Sequence, residues 1–429
     1  MTASSNTNRS ISVSLALILV FFCSLSFPQM ASAQADAYAA ATRAYKEKDY
    51  AQYLKRVQEL SQQNPQNVWL TEVLARAYAL NGMQREALET LRVLARMGMA
   101  VETTHADLAS LKGVAEFEQL RPAFERNGAP AVRSRVAFSL AEKDLIPEGI
   151  TFDATTGDFY VSSIYRRKIV RVSKTGKVED FTAPNQDGLL NVLGMKVEAK
   201  RRVLWACTFS GPRDGDRNGA GALFKYDLTS GKLIRKYQSA SDGRKHLYND
   251  LAVTQSGDAF ITDSLAGGVL RLPRATDAVE TFIPAESFVY PNGIALSADE
   301  RYLFVADVRG VHRIEVKTKQ VRKFGHSEKH SLIGIDGLYW HEGDLIGVQN
   351  GFKPNRIIRI KLNRTLDEVA ELTVLESNHP QYEIPTTGVV ARGSFYYIAN
   401  SQLRKLNERE EIAPPEKLKE PIILALPLL

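Results

Sequence analysis

Two periods of hydrophobic spacing divide this chain. From Ala35 to about Asn127 apolar residues recur three and four positions apart, the spacing of helices that bury one face. After "NGAPAVRSR" the spacing falls to two. Six short segments then share one form: "GDFYVSSI", "RVLWACTF", "GDAFITDS", "RYLFVADV", "GDLIGVQN" and "GSFYYIAN". Each reads as a strand, and most are followed by a second signature of strand, polar turn and strand, as in "VSKTGKVEDF", "YDLTSGKLIRKY" and "IEVKTKQVRKF".

Both regions repeat internally. "AYAAATRAYKEKDYAQYLKRVQELSQQNPQN" aligns with "VWLTEVLARAYALNGMQREALETLRVLARMG", so that Ala44-Tyr45 matches Ala77-Tyr78 and Leu54, Val57 and Leu60 match Leu88, Leu91 and Leu94. Asn81-Gly82 breaks the second pair and Pro65 precedes its first helix. The offset resembles that of tetratricopeptide units, each a helix-turn-helix of about 34 residues. Two such units bury little core alone, so docking on the second region is expected, and a peptide groove is a secondary expectation. The β region repeats every 40 to 50 residues or so with about four strands per unit, the mark of a propeller. Six units fit between residues 136 and 429. The predicted fold is mainly β: a six-bladed β-propeller over residues 135–429 behind an α-helical tetratricopeptide-like module over residues 35–128. "RVAFSLAE", residues 135–142, is expected to close the ring against the last blade.

The first residues change the expected compartment. "MTASSNTNRS" leads into an apolar run over residues 11–27, and Ala31-Ser32-Ala33 has the small-x-small form of a signal-peptidase site. The reading is a signal peptide over residues 1–33, cleaved after Ala33, and a bacterial periplasmic destination; an uncleaved anchor is the rival. Cys23 lies within the apolar run, so Cys207 stands alone in the mature chain and no internal disulfide is expected. A net charge of +6 is modest and spread along the chain. The clusters at residues 166–168 and 200–202 read as solvated loop ends, which argues against a nucleic-acid partner.

Candidate chemistry rests on a recurring slot. "IPEGITFD", "LYNDLAVT", "YPNGIALS" and "GIDGLYWH" each place an oxygen-bearing residue at the start of a unit's innermost strand: Glu148, Asn249, Asn292 and Asp336. Each is followed by Gly or Asp and then by apolar alternation. Asn-Gly is also a strong turn signal, so Asn292 is expected to help make a turn as well. Turn chemistry does not account for Glu148-Gly149, because Glu is a poor turn residue. Equivalent positions of a propeller share one ring around the channel, and two carboxylates with two amide carbonyls suit Ca²⁺ or another hard divalent cation.

These slots resemble the regucalcin/gluconolactonase family, with "PNGIALSADERYLFVAD" the best single match, and more distantly paraoxonases and diisopropylfluorophosphatase. The resemblance covers the propeller but not the helices. It implies that Glu148, Asn249, Asn292 and Asp336 hold a catalytic Ca²⁺ and that Asp336 doubles as general base. A carboxylate bound to Ca²⁺ is a weak base, so Asp250 and His246 are alternatives. Asp250 also reads as a residue that orients its neighbours, and His246 as an exposed loop residue. Sugar lactonases of the family commonly carry Arg two residues before the Asn of "ND", where this chain has Leu247; the departure puts aldonolactone specificity in doubt and leaves the metal site intact.

Other motifs carry less. "HSEKH", residues 326–330, lacks the spacing of a zinc helix. "DGDRNG", residues 214–219, imitates the front of an EF-hand loop but has Lys225 where the closing Glu belongs, and reads as a polar loop over the channel mouth. Cys207 reads as a buried small hydrophobe. The expectation is an exported Ca²⁺-dependent hydrolase of a lactone or related ester with a small-molecule substrate. A non-catalytic periplasmic binding scaffold, with a protein partner on the helices, is the alternative; phosphotriester hydrolysis or a strictosidine-synthase-like condensation would use the same metal site.

Overall fold

The computed structural model describes residues 30–65, 67–325 and 327–428. The apolar run at residues 11–27 and His326 lie outside the described residues, while Ala31-Ser32-Ala33 falls in the first helix. The helical region comprises α1 (Met30–Lys46), α2 (Tyr50–Gln63), α3 (Val68–Leu80), α4 (Gln84–Arg96) and α5 (Ala115–Gly128). Asp49 caps α2 by accepting from the Gln52 N–H, and Asn67 caps α3 by accepting from those of Trp69 and Leu70. The Asn81 amide donates at 2.8 Å to both Ala77 O and Tyr50 O, tying the end of α3 to the start of α2. Leu54, Val57 and Leu60 of α2 and Leu88, Leu91 and Leu94 of α4 are all buried, as their spacing predicts. No helix among the described residues is long and apolar enough to cross a membrane.

The strands form six four-stranded antiparallel sheets, arranged as the blades of a propeller. The innermost strands are Ile150–Asp153, Asn191–Glu198, Tyr248–Val253, Ile294–Leu296, Ile335–His341 and Gly388–Ala391. Five blades run in simple chain order from the inside out. The sixth takes its outermost strand, Arg135–Ser139, from the start of the region, paired with Ile422–Pro427. The ring is thus closed by the segment that the sequence suggested. Apolar side chains of neighbouring blades interlock as separate clusters, such as Val161, Val170, Ile398 and Ile423 between the sixth and first blades.

The helices dock on the fifth blade. Ile333 and Phe352 of that blade join the apolar cluster of Leu91, Leu94, Leu111 and Phe124. Arg356, 1% exposed, donates to Gln349 Oε1 at 2.7 Å and across the junction to Met97 O at 3.1 Å. The connecting segment is pinned by Glu376, whose Oε1 accepts from the N–H groups of Arg133 and Ser134 and from the Ser134 hydroxyl. The buried carboxylate thus orders the chain between the two regions.

Candidate active site

Each innermost strand begins with the same two-residue step. The pairs are Glu148-Gly149, Leu193-Gly194, Asn249-Asp250, Asn292-Gly293, Asp336-Gly337 and Thr387-Gly388. A Cβ on Gly149 would overlap the carbonyl oxygen of Leu193; one on Gly194 would lie 2.6 Å from that of Asn249, and one on Gly293 2.5 Å from that of Asp336. These three glycines therefore let the next blade's slot residue approach, whereas Gly337 and Gly388 make room for Tyr339 and Phe395 of their own blades, and none of the five adopts a positive φ. This corrects the expectation that Asn292-Gly293 makes a turn. The Asn292 N–H donates to Ala306 O and the Ala306 N–H to Gly293 O, so the pair continues the ladder to the strand Tyr302–Asp307. Between the sixth and first blades the Thr387 hydroxyl donates to Glu148 O.

The four oxygen-bearing slot residues are brought onto this ring, with Leu193 and Thr387 filling the other two places. Glu148 is 5% exposed, and its Oε2 is buried with no hydrogen-bond partner. Asn292 Oδ1 is in the same condition. The Asn292 amide nitrogen donates to Asp336 Oδ1 at 2.6 Å, and Asn350 donates to Asp336 Oδ2 at 2.6 Å. Asn249 donates its amide to Ser264 Oγ at 2.9 Å, which keeps its carbonyl oxygen outside that bond. Ser264 donates in turn to Pro291 O, linking the third and fourth slots.

Electrostatics set this ring apart. Burial pushes the Glu148 carboxyl well above its ordinary value, and the charges of Asp336 and Asp250 push it further. Asp336 is raised to about 6: burial outweighs the bonds from Asn350 and Asn292, and Asp250 adds to the rise. Asp250 is itself raised by burial, against the opposing pull of Lys196. Of the three carboxylates Asp250 alone is drawn down by an ammonium, that of Lys196, which lies 5.1 Å from the centre of the Tyr339 ring. Asp250 stands where the other five blades have glycine. Its Oδ1 accepts from the Leu251 N–H at 2.8 Å and its Oδ2 from the Ile294 N–H at 3.5 Å, so the carboxylate spans the seam between the third and fourth blades.

His246 differs from its sequence-based reading as an exposed loop residue. It is 6% exposed; Nδ1 lies 2.5 Å from Asp263 Oδ2 and Nε2 3.1 Å from Asp242 Oδ1. Both ring nitrogens are engaged by carboxylates outside the slots, and the Asp263 bond foremost raises its pKa. Asn350, Lys196 and Tyr339 were not anticipated. Lys196 left one sequence signal, as a lone cation within the otherwise apolar "NVLGMKV"; Asn350, at the end of "GDLIGVQN", left none. Asp214 of "DGDRNG" accepts two bonds from Arg167, at 2.9 and 3.0 Å, consistent with a structured polar loop. Cys207 is fully buried as a free thiol.

The donor set fits a hard cation. Two buried oxygens lack partners, the carboxylates repel one another, and burial makes their charge costly. Among the described residues no three of His, Cys, Asp and Glu come close enough to hold a metal by themselves, so the amide carbonyls and water would complete the shell.

A six-bladed propeller whose channel is lined by oxygen donors is the class that fold and site define. The family model described as "SMP-30/Gluconolactonase/LRE-like region" matches residues 146–373, and the chain belongs to this family. Among solved structures it is similar to a gluconolactonase from Xanthomonas campestris, at 16% identity, with 70% of this chain and 98% of that one covered and a TM-score of 0.47. A luciferin-regenerating enzyme gives 16% identity, 70% and 96% coverage and a TM-score of 0.47. The uncharacterized protein YncE of Salmonella typhi is 23% identical over 233 residues, 45% of this chain. That match spans 60% of the length of the relative.

Proposed function

We propose that this protein is a hydrolase of lactones or related esters that works with a divalent cation, Ca²⁺ foremost, in the propeller channel. The observation that carries the reading is the pair of buried, unpartnered oxygens, Glu148 Oε2 and Asn292 Oδ1, on a ring with two further carboxylates in a chain of this family. Glu148, Asn249, Asn292 and Asp336 would hold the cation, which when bound would polarise a carbonyl oxygen. Asn292 and Asn350 fix the orientation of the Asp336 carboxylate through one bond to each oxygen. Thus oriented, Asp336 would serve as ligand and as general base; its rise to about 6 belongs to the cation-free ring, and a bound cation would lower it again and weaken the base. Asp250 supports the seam between the third and fourth blades, and His246 holds the third blade together beside it.

The sequence of the first 33 residues supports export with cleavage after Ala33, which mass spectrometry of the secreted protein would check. The functional test is calorimetric Ca²⁺ titration beside a lactone and ester panel, for wild type and Asp336→Asn. Cation binding with cation-dependent turnover, both lost in the variant, supports the reading. A wild-type protein that binds no divalent ion sinks it.

A further inference from the structure

The residues two positions before the slots form a second tier. Ile146 and Tyr290 adopt positive φ, so the chain turns here, and the tier is set beside the ring by its packing against Leu193, itself a slot residue. In the first and third blades it is aliphatic, Ile146 before Glu148 and Leu247 before Asn249, and in the fourth it is the aromatic Tyr290 before Asn292. These three join one cluster with Leu193, the apolar slot residue of the second blade, and with Ile164, Leu265 and Phe209. In the second blade the same tier holds Asn191, fully buried, whose amide donates to Glu410 Oε1 at 2.7 Å.

Glu410 belongs to a strap. Antiparallel strands put the connection from a blade's second to its third strand on the face where its first strand begins. In the sixth blade that connection is long, running from Ile398 to Ile422. It lays Leu403, Leu406 and Ile412 on the apolar tier. The strap is fastened by Arg213 of the second blade's connection, which donates to Glu410 Oε2 at 3.1 Å and to Asn191 Oδ1 at 3.1 Å. The chain's own leucines therefore occupy an apolar bed that adjoins the carboxylate ring at Leu193.

We infer that this bed takes the apolar substituent of the substrate, so that the site acts on lactones or esters with an aliphatic or aromatic tail and discriminates against polyhydroxylated sugar lactones. The inference rests on the hydrolase reading and names its substrate class. A sugar lactone would turn several hydroxyls towards Ile146, Leu193, Leu247 and Leu406, which offer no hydrogen bond, while the polar side chains nearby, Asn191, His246 and Tyr290, are already engaged. A buried hydroxyl without a partner loses more than it gains. An alkyl tail replaces strap leucines with like surface.

The test is a series of γ-lactones with lengthening alkyl tails beside glucono-δ-lactone, with kcat/KM measured in the presence of Ca²⁺. A parallel calorimetric series uses the matching γ-alkyl-γ-lactams, amide isosteres whose binding needs no turnover. The expected result is a rise in kcat/KM and in lactam affinity of about threefold per methylene over the first few carbons, with glucono-δ-lactone below the longer-tailed members. Leu247→Asn should flatten both series, and Leu406→Asn, on the strap rather than in a blade, should do so without perturbing the ring. Turnover that ignores tail length, or favours the sugar lactone, overturns the inference and leaves the hydrolase reading standing. Tail-dependent lactam binding without turnover of any lactone sustains the inference and removes the hydrolase reading. Absence of both overturns both.

Discussion

Asp307 and Asp336 are carboxylates from neighbouring blades, and they have been treated oppositely. Asp307 ends the second strand of the fourth blade, 3% exposed. His312 Nε2 lies 2.9 Å from one of its oxygens, the Val289 N–H donates to the other, and Arg309 closes over both. Burial raises its pKa, but these partners outweigh burial and hold it below the ordinary carboxylate range. Asp336 receives only two neutral amides and faces Asp250, and it is raised to about 6. Asp263, at the corresponding strand end of the third blade, is partnered like Asp307, by His246 and the N–H groups of Leu247 and Ala266. A carboxylate that serves the fold comes with its counter-charge; Glu148 and Asp336 on the channel ring are paired with no cationic side chain among the described residues.

The largest expected effect separates the two directly. Asp336→Asn should lower cation affinity at least about a hundredfold, read by calorimetry, yet leave the cation-free protein as stable as wild type or more so, because a repelling buried charge is removed. Asp307→Ala should do the reverse. It strands buried His312 and should cost about 3 kcal/mol in urea unfolding, while folded molecules keep wild-type cation affinity. If both variants lose stability and neither loses cation, the contrast between the two carboxylates is not functional.

A smaller effect tests why five slots carry glycine. Gly293→Ala puts a methyl group 2.5 Å from Asp336 O, against backbone that cannot rotate away. The cost should be roughly 1–3 kcal/mol of stability, with cation affinity reduced as well because the fifth slot is displaced. Gly343→Ala is the informative control: no atom lies within 4 Å of its Cβ position, so only the strain of its positive φ is felt. Because Gly293 has no positive φ, a loss there that leaves cation affinity unchanged would show that the contact between blades does not set the position of the fifth slot.

This glycine also marks where sequence reasoning stopped. The oxygen-bearing slots were legible because four of them repeat a local pattern, and the closing strand because a ring of blades needs a segment to pair with the last one. The reason for the glycine lies in the next blade's carbonyl, which local turn chemistry does not contain. Leu193 and Thr387 went unnoticed because a search for oxygen ligands passes over a leucine and an isolated hydroxyl. His246 read as exposed because its partner, Asp263, belongs to the next strand. The docking of the helices was expected from their small core, but the arginine that makes the junction, Arg356, looks in sequence like any cation of an alternating strand.

pH sharpens the same contrast with opposite signs. In cation-free protein the native state keeps a proton on Asp336 that the unfolded chain releases near its ordinary value of 3.8. Native molecules therefore bind more protons than unfolded ones between about 4 and 6, and the stability from this group falls as pH rises through that window. Glu148, also raised, works in the same direction. Asp307 works the other way: its contribution is present above the unfolded value and is lost as pH falls through its lowered native one. Asp336→Asn should flatten the first dependence in urea midpoints and leave the second. Cation affinity should weaken about tenfold per pH unit below about 6, where protonation competes for Asp336.

The smallest effect concerns access rather than charge. Arg213 is partly exposed, so its ion pair with Glu410 is worth no more than about 1 kcal/mol, or roughly fivefold in the opening of the strap. Arg213→Ala should raise amide hydrogen exchange in residues 403–412 by that factor while the inner strands keep their protection. Arg167→Ala gives the comparison, because it releases Asp214 of the neighbouring loop without touching Glu410. If Arg167→Ala loosens the strap as much as Arg213→Ala does, the two loops move as one cover. If only Arg213→Ala loosens it, the sixth-blade connection opens alone, and the bed beneath it is reached from that side.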